Sequence, residues 1–347
     1  MRAMVFDLYG EPDVMGLREV PVPEPQDGEV LIRVGYAGVN PADSKTRSGL
    51  GSRAGVVFPF VTGMDAAGVV EQTGPDVTEF SPGDRLVTWG TVDGKAWGSY
   101  AELVRVSVRN VSPMPKSLNF AQAAAVPIAS LTAFQSLFHA DKGGMIPGQK
   151  VLIHGAAGGV GSFAVQFAKS GGLLVAATCS TANVEYVRSL GADRVIDYKT
   201  EDVCPAVREW SAEGVDVALD AVGPASLPRA LDLLRPGGRL VSIFTGTADG
   251  DIERDQKEAR RRGFQKVTSI IDFERARDSM REITNLIDAG LVHVPPIHVL
   301  LLEDAALAHQ MIDTGHVRGK LVLKVAELYA RSPRRDAITA ASRWTCA

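Results

Sequence analysis

The stretch from residue 151 to residue 169, VLIHGAAGGVGSFAVQFAK, decides the fold. It reads as a short buried strand, a glycine-rich turn, and a helix whose apolar residues recur at helical spacing. Glycines let the backbone turn tightly and approach phosphates, and the helix N-terminus offers free N–H groups and a partial positive charge. The order therefore predicts a dinucleotide-binding turn, in which Ala156, Gly158 and Gly161 take the three glycine positions. A turn that only connects two elements is the alternative.

The chain changes character on the two sides of residue 127. Before it, short β-type runs are broken by glycine and proline, and helix-length patterns are nearly absent. Residues 120–138 have helical periodicity and form a bridge. Beyond the bridge strands and helices alternate, with one helix predicted over 226–234, and such alternation builds parallel βαβ units. We expect an α/β chain with a β-rich domain and a doubly wound parallel sheet.

These patterns set the expected domain boundaries. The β-rich domain takes residues 1–126 and, by a return of the chain, residues 273–326. The parallel sheet takes residues 127–272. The mildly basic tail, residues 327–347, has little apolar periodicity and is predicted to be disordered.

Composition restricts the partners and the location. The chain has 347 residues, a formal net charge of −4 and three cysteines without paired spacing. Its acidic balance argues against nucleic-acid and anionic-membrane partners, and the cysteines indicate a reducing compartment. No apolar run is long enough to cross a bilayer, and Asp7 interrupts the apolar core that a signal peptide would need. We expect a cytoplasmic protein.

Several separate segments of this chain occur in an order that is typical of one known family. The segments are GVNPAD at 38–43, GMDAAGVV at 63–70, FSPGDR at 80–85, LTAF at 131–134, HGAAGGVGSFAVQFAK at 154–169, LGAD at 190–193 and RGKLVL at 318–323. Together they resemble the medium-chain dehydrogenase/reductase superfamily, in its zinc-independent quinone oxidoreductase branch, and the resemblance covers residues 1–326. It implies a GroES-like β-rich catalytic domain interrupted by a Rossmann domain, and relatives are commonly dimers.

The departures from zinc-using relatives argue against a catalytic metal. Those relatives carry a cysteine where this chain has Asn40, and a His-Glu pair where it has Met64 and Asp65. Zinc prefers thiolate and imidazole ligands, and the four-cysteine structural lobe is missing as well. We expect no zinc, and a substrate that is already electrophilic, because no Lewis acid is present to generate an alkoxide.

The cofactor is predicted to be NADPH, with NADH as a weaker alternative. NAD-using enzymes place an acid about twenty residues past the glycine turn, whereas this chain has AATCS at 176–180. The hydroxyls of Thr178 and Ser180 offer hydrogen bonds to a 2′-phosphate. The alternative role for both is an N-cap before Val184. By resemblance Tyr198 lines the phosphate pocket, Asn183 stands where some relatives have a lysine, and Arg318 contributes from the last loop.

Further cofactor contacts follow from the resemblance and from the strand ends. Thr132 matches a threonine near the nicotinamide amide, with core packing as its alternative. His154 is interpreted as a structural hydrogen-bond partner. The complete predicted cofactor set is Thr132, Ala157, Gly158, Gly159, Val160, Gly161, Ser180, Asn183, Tyr198, Val222, Phe244 and Arg318.

The resemblance implies hydride transfer to a quinone or to the β-carbon of an α,β-unsaturated carbonyl. Asn40 is the candidate donor to the carbonyl oxygen, and a turn residue before Pro41 is its alternative. Lys45 stands where several relatives carry a tyrosine and is the candidate proton donor, unless it is a surface lysine. Asp43 either orients Lys45 or caps the loop.

Two other functions stay open on the sequence. One is an enoyl-thioester reductase of a biosynthetic pathway of polyketide or fatty-acid type, with the basic run 258–262 as a docking patch for the carrier. The other is a non-catalytic NADPH-binding protein with a structural or RNA-binding role. The acidic balance counts against RNA.

Overall fold

The computed structural model describes residues 1–50, 56–90, 97–223, 225–227, 229–243 and 249–328. Two long sheets organise these residues, and no helix among them is long and apolar enough to span a bilayer. The helices are α1 Pro41–Ser48, α2 Phe120–Ala124, α3 Pro127–Phe138, α4 Gly159–Ser170, α5 Val184–Ser189, α6 Val203–Trp210, α7 Asp249–Arg261, α8 Ala276–Asp288 and α9 Ala305–Asp313. The strands are β1 Arg2–Val5, β2 Gly16–Glu19, β3 Glu29–Val39, β4 Asp65–Thr73, β5 Arg85–Trp89, β6 Leu103–Ser107, β7 Val111–Pro113, β8 Lys150–His154, β9 Leu174–Cys179, β10 Arg194–Asp197, β11 Val215–Asp220, β12 Leu234–Ser242, β13 Gln265–Thr268, β14 Ile297–Leu301 and β15 Lys320–Lys324.

The six-stranded sheet has the order β10-β9-β8-β11-β12-β13, and every pair in it is parallel. Both of its faces are covered. Leu152 and Ile153 are neighbours on β8 and both are fully buried, yet they belong to different apolar clusters because successive side chains point to opposite faces. This confirms the predicted doubly wound parallel sheet.

The second sheet is built from β-rich segments that lie far apart in the chain. Its order is β14-β15-β3-β4-β5-β7, and β6 pairs with β3. Strand β15 runs antiparallel to β3, so that Leu321 lies opposite Val39, and β14 pairs with β15 in parallel. The return of the chain to the first sheet-forming region is therefore confirmed. The residue boundaries of the two domains and the character of the tail stay predictions, and residues 329–347 lie outside the described residues.

One predicted helix is wrong. Of the described residues in the range 226–234, only Ala230–Leu233 form a single turn of 3₁₀-helix, and Leu234 already begins β12. The sequence there contains Pro228, which has no N–H to donate and which disfavours helical backbone at the residue before it. The apolar residues of this stretch pack as an irregular segment under the sheet, in one cluster with Leu152.

The sequence analysis also missed a helix. Residues 41–48 form α1, which follows β3 directly. It has no apolar periodicity to reveal it, because its buried residues are Asp43, Ser44, Thr46 and Arg47. Its beginning is set by Asn40 at the N-cap and Pro41 in the first turn. The helix and its N-cap position all three predicted catalytic residues, Asn40, Asp43 and Lys45.

Candidate active site

The carboxyl ends of four neighbouring parallel strands lie along one edge of the six-stranded sheet. His154 at the end of β8 pairs with Asp220 at the end of β11, and Cys179 of β9 pairs with Asp197 of β10. Ligands of open parallel sheets bind outside this edge. The predicted cofactor residues that follow these strands are the turn at 155–161, Ser180, Tyr198 and Val222.

The glycine turn is built by close backbone approaches. Gly155 has φ of +82°, in the left-handed region that favours glycine. A Cβ on Gly161 would lie 2.2 Å from the carbonyl oxygen of Gly155, so the helix packs against the turn only because that side chain is absent. A Cβ on Gly158 would meet nothing nearer than 3.6 Å. Gly158 therefore leaves its side of the turn open.

This turn fits a dinucleotide. Gly158 is the N-cap of α4, and Gly159, Val160 and Gly161 form its first turn, where backbone N–H groups have no intrahelical acceptor. Such groups and the helix dipole suit an anionic pyrophosphate. Predicted residues 157–161 thus lie together in one turn, which we call the phosphate cradle, and their contact with a cofactor stays a prediction.

His154 and Thr178 support the turn from below. His154 is 4% exposed, and its Nδ1 and Nε2 lie 2.7 Å from Thr178 Oγ1 and 2.9 Å from Ser226 Oγ. Burial lowers its pKa. Thr178 Oγ1 also accepts the N–H of Gly155 at 3.2 Å. The structural interpretation of His154 is confirmed, whereas the prediction that Thr178 contacts a 2′-phosphate is wrong, because its hydroxyl is buried and engaged.

Arg318 reaches across to the segment after β9. Its Nε donates to Oδ1 of Asn183, and its Nη2 donates to the carbonyl of Ala182 at 2.6 Å. Asn183 Nδ2 in turn donates to Ser180 Oγ at 3.0 Å. The guanidinium lies 5.8 Å from the ring centroid of Tyr186. Three of the predicted cofactor residues, Ser180, Asn183 and Arg318, therefore form one polar cluster beside the cradle.

Ser180 holds this cluster with its backbone as well. It is the N-cap of the 3₁₀-turn Thr181–Asn183, and its carbonyl accepts the N–H of Asn183 at 2.8 Å. Its side chain caps no backbone N–H. The hydroxyl is therefore not committed to a capping bond, which was the alternative role.

The remaining predicted cofactor residues differ in their exposure. Tyr198 and Val222 are 43% and 47% exposed at the strand ends. Thr132 is half-buried on α3, where its hydroxyl donates to the carbonyl of Ile128 at 2.7 Å. Phe244 lies outside the described residues. Tyr198 and Val222 are available to a ligand, and Thr132 is held by its own helix.

The loop before β15 joins the glycine turn to the β-rich domain. The N–H of Gly319 donates to the carbonyl of Ala157 at 2.9 Å, and Gly319 pairs with Gly158 as an isolated parallel bridge. The next residue, Lys320, carries its side chain into the β-rich domain. The phosphate cradle and the β-rich domain therefore meet through two consecutive residues.

Lys320 reaches Asn40, the predicted oxygen donor. Lys320 Nζ donates to Asn40 Oδ1 at 2.6 Å and to the carbonyl of Val39 at 2.9 Å. Asn40 Nδ2 donates to Asp65 Oδ2 at 2.9 Å, and that carboxylate oxygen lies 3.6 Å from Lys320 Nζ. All three side chains are at most 5% exposed. Burial lowers the pKa of Lys320 and raises that of Asp65, while their mutual attraction opposes both shifts.

Asp43 has a structural role beside Asn40. Its Oδ2 accepts the backbone N–H of Asn40 at 2.8 Å and the hydroxyl of Tyr100 at 3.4 Å. Asp43 is 1% exposed. This geometry supports the capping role that the sequence analysis considered for Asp43.

Lys45 lies two residues further along α1. It is half-buried, and burial lowers its pKa below the ordinary value of 10.5. Lys45 lies in a helix and not in a loop, and its role as proton donor or as a surface lysine stays a prediction. The lowered pKa brings the ammonium closer to the range in which it transfers a proton near neutral pH.

Comparisons with known proteins agree with this architecture. Residues 26–116 match the alcohol dehydrogenase GroES-like domain, and residues 190–323 match a family described as zinc-binding dehydrogenase. The quinone oxidoreductase of Rattus norvegicus is 34% identical over 334 residues, which covers 93% of this chain and 97% of that protein. The chloroplastic NADPH-dependent alkenal/one oxidoreductase of Arabidopsis thaliana is 34% identical over 320 residues, with coverage of 86% and 80%.

A solved structure gives the same result. The Escherichia coli quinone oxidoreductase complexed with NADPH matches with a TM-score of 0.80 at 27% identity, over 94% of this chain and 100% of that chain. The chain belongs to the zinc-independent quinone oxidoreductase branch of the medium-chain dehydrogenase/reductase superfamily.

The residues at the family's metal positions do not fit zinc. Asn40 and Asp65 stand at two of them, and the ammonium of Lys320 already lies against both side chains. A second cation there would be repelled, and an amide is a poor zinc ligand. In the described part of the chain no three His, Cys, Asp or Glu side chains lie together as a metal site.

Two site residues were missed on the sequence as functional residues. Asp65 was considered only as a departure from a metal ligand, and Lys320 only as part of a matching segment. The sequence signal for Lys320 is a lysine that opens a strand directly after a glycine, which is too common to be informative. Its partners are 280 and 281 residues away in the chain, so only the fold reveals the contact.

Proposed function

We propose that this chain transfers a hydride from NADPH to a quinone or to an α,β-unsaturated carbonyl, without a metal ion. The observation that carries the proposal is the direct connection between the cradle and Asn40. The backbone N–H of Gly319 donates a hydrogen bond to the carbonyl of Ala157 in the glycine turn. The ammonium of the adjacent Lys320 donates one to the side-chain oxygen of Asn40. The cofactor cradle and the candidate oxygen donor therefore belong to one site.

The nicotinamide, when bound, supplies the hydride. Residues 157–161 hold the pyrophosphate with backbone N–H groups, and the open side of Gly158 admits it. Tyr198 and Val222 are exposed at the strand ends, and we assign them to contacts with the bound cofactor. The family relatives named as quinone and alkenal/one oxidoreductases support this over the enoyl-thioester and non-catalytic alternatives.

Preference for NADPH is assigned to the cluster beside the cradle. Arg318 carries a permanent positive charge there, and Ser180 and Asn183 add polar groups. No acid follows β9 in the sequence 180–183 to repel a 2′-phosphate. NADH lacks that phosphate and gains nothing from the guanidinium, so it is expected to be the poorer cofactor.

Asn40 stabilises the acceptor oxygen as negative charge builds on it. Its Nδ2 has two hydrogens, of which Asp65 accepts one. The second is assigned to the carbonyl or quinone oxygen. Lys45, half-buried on the same helix, is assigned the proton that completes reduction. Asp43 holds the N-terminus of that helix.

The test is a panel of acceptors in which NADPH oxidation is followed by absorbance. Phenanthrenequinone and a small enone are expected to be reduced, and Asn40→Ala is expected to lower kcat roughly 100-fold, the usual loss for one oxyanion donor. Asn285→Ala, an exposed asparagine on α8, is the control. Absence of turnover with every quinone and enone contradicts the proposal. A cytoplasmic location and a homodimer stay predictions that accompany it.

A further inference from the structure

Lys320 is a buried lysine with three acceptors around one ammonium. Its Nζ donates to Asn40 Oδ1 and to the Val39 carbonyl, and it lies 3.6 Å from Asp65 Oδ2. Two of the three ammonium hydrogens are therefore engaged in hydrogen bonds, and Asp65 adds an ion-pair contact. The residue is 5% exposed. Burying a charge costs free energy unless it is paired and hydrogen-bonded, so the position of this ammonium is strongly restricted.

Asp65 is fixed from the opposite side. Its Oδ1 accepts the backbone N–H of Ile128 at 2.9 Å, at the start of α3, and its Oδ2 accepts Asn40 Nδ2. Its backbone carbonyl also accepts the hydroxyl of Ser99 at 2.7 Å. The carboxylate is 0% exposed. It therefore cannot move away from Asn40 without leaving a buried backbone N–H unpaired.

Asn40 lies between these two opposite charges, which makes its amide orientation unique. The oxygen faces the ammonium and the NH₂ group faces the carboxylate. Turning the amide over would direct N–H groups at a cation and oxygen at an anion, and both hydrogen bonds would be lost. One Nδ2 hydrogen is left over in the observed orientation. Without the two charges, these two contacts would not determine which side of the Asn40 amide carries the NH₂ group and which carries the oxygen.

Lys320 also touches the cradle. A Cβ on Gly159 would lie 2.8 Å from Lys320 Cδ, so the aliphatic part of the lysine lies against the first turn of α4. The preceding residue, Gly319, is bonded to Ala157. The lysine whose ammonium contacts Asn40 thus also packs against the turn to which the cofactor phosphates are assigned.

We propose that Lys320 is a positioning residue that, together with Asp65, fixes the amide of Asn40 so that its remaining N–H is presented to the oxygen of the electrophilic acceptor. This inference rests on the proposed function for the acceptor. The orientation of the amide is a property of the chain alone. The two parts can therefore be tested separately.

The test uses a variant that removes both charges. Lys320→Met alone leaves a buried carboxylate unpaired and risks unfolding, so it is combined with Asp65→Asn. The new side-chain amide at position 65 keeps an oxygen for the N–H of Ile128 and directs its NH₂ group at Asn40. The amide of Asn40 is then expected to turn over. Lys324→Met changes another lysine of β15, which pairs with Glu327, and serves as the control.

Kinetics give the first readout. In the double variant kcat is expected to fall at least about tenfold, while the KM for NADPH stays within about threefold. In an Asn40→Ala background the same two changes are expected to lower kcat no further, because Lys320 acts through Asn40. A kcat within about twofold of the wild type, or losses that multiply in the Asn40→Ala background, would overturn the inference.

Nuclear magnetic resonance gives a readout without turnover. The Asn40 side-chain amide is identified by its disappearance in Asn40→Ala. In the cofactor-free wild type one of its two protons is expected to be protected from exchange by Asp65, and both signals are expected to shift in the double variant. Unchanged signals would overturn the assigned orientation. A wild-type protein that reduces no acceptor would instead contradict the proposed function, and the resonance comparison alone would then decide the orientation.

Discussion

Arg318 Nε donates to Oδ1 of Asn183, 135 residues away in the chain. The bond brings a permanent positive charge from the loop before β15 to the segment after β9. The loop and the segment both lie at the edge of the six-stranded sheet to which the cofactor is assigned. The cofactor preference that we propose therefore depends on a residue that lies outside the βαβ unit containing the glycine turn.

Arg318→Ala is expected to reduce the preference for NADPH. A charge-assisted hydrogen bond to a phosphate contributes about 1.5–3 kcal/mol, so kcat/KM for NADPH is expected to fall by about 10- to 100-fold. The value for NADH is expected to change little. Steady-state kinetics with both cofactors measure the ratio. Equal losses for the two cofactors would contradict the assignment, and Arg281→Ala, at an exposed position of α8, is the control.

Two glycines of the turn are expected to respond differently to alanine. Gly161→Ala would bring a Cβ to 2.2 Å from a backbone oxygen, so it is expected to lower the free energy of unfolding by about 1–3 kcal/mol and to abolish cofactor binding. Gly158→Ala meets only ordinary contacts and is expected to keep the stability while weakening NADPH binding.

Urea unfolding and NADPH fluorescence titration measure the two effects. Gly16→Ala, where no atom lies within 4 Å of the added Cβ, is the control. Equal loss of stability at positions 158 and 161 would contradict the geometry of the turn.

His309 predicts a pH dependence of stability. It is 0% exposed, and burial lowers its pKa from 6.5 to about 4, with a further lowering by Arg47 and an opposing effect of Asp313. Its Nε2 faces the hydroxyl of Tyr100 at 3.3 Å. Because the folded pKa is depressed, the unfolded chain binds the proton first as pH falls. Above pH 6.5 this histidine takes nothing from the free energy of unfolding. Between pH 6.5 and about 4 its protonation in the unfolded chain lowers that free energy progressively.

Between pH 7 and pH 5 this residue is expected to account for about 2 kcal/mol of lost unfolding free energy. His309→Gln keeps a donor for Tyr100 and has no ionisation in this range. The variant is expected to lose less stability than the wild type between the two pH values, whatever its stability at pH 7. Urea titrations at both values measure the difference. Equal losses in the two proteins would exclude His309 as the source.

Lys45 predicts a pH dependence of turnover. A proton donor must be protonated, so kcat is expected to fall as pH rises through the pKa of Lys45, which burial places below 10.5. Lys45→Met is expected to lower kcat and to remove that alkaline decline. Profiles of kcat between neutral and alkaline pH test this. An alkaline decline of equal midpoint in the variant would show that another group, or solvent, supplies the proton.

The fold could be predicted to the extent that it depends on local pattern. The strand, glycine turn and helix at 151–169 carry strong periodicity, and the alternation beyond them gave the parallel sheet. Helix α1 could not be found in this way, because its buried residues are polar. The helix predicted over 226–234 failed because apolar spacing was given more weight than Pro228.

The candidate site likewise has a part that the local sequence predicts and a part that only the folded chain reveals. Residues 157–161 follow from the motif, since their role depends on local backbone geometry. The engagement of Thr178 with His154, and that of Asn40 with Lys320, depend on strands that are neighbours only in the folded sheets. No sequence pattern encodes those contacts, and the role of Lys320 appears only when β15 lies beside β3.

The most direct test of the account is a single turnover of chelator-treated enzyme with an enone and NADPH that carries deuterium at the transferable position of the nicotinamide. The account predicts that mass spectrometry finds one deuterium at the β-carbon of the product, with an unchanged rate after chelation. Product without deuterium, or turnover that returns only when zinc is added, would contradict it.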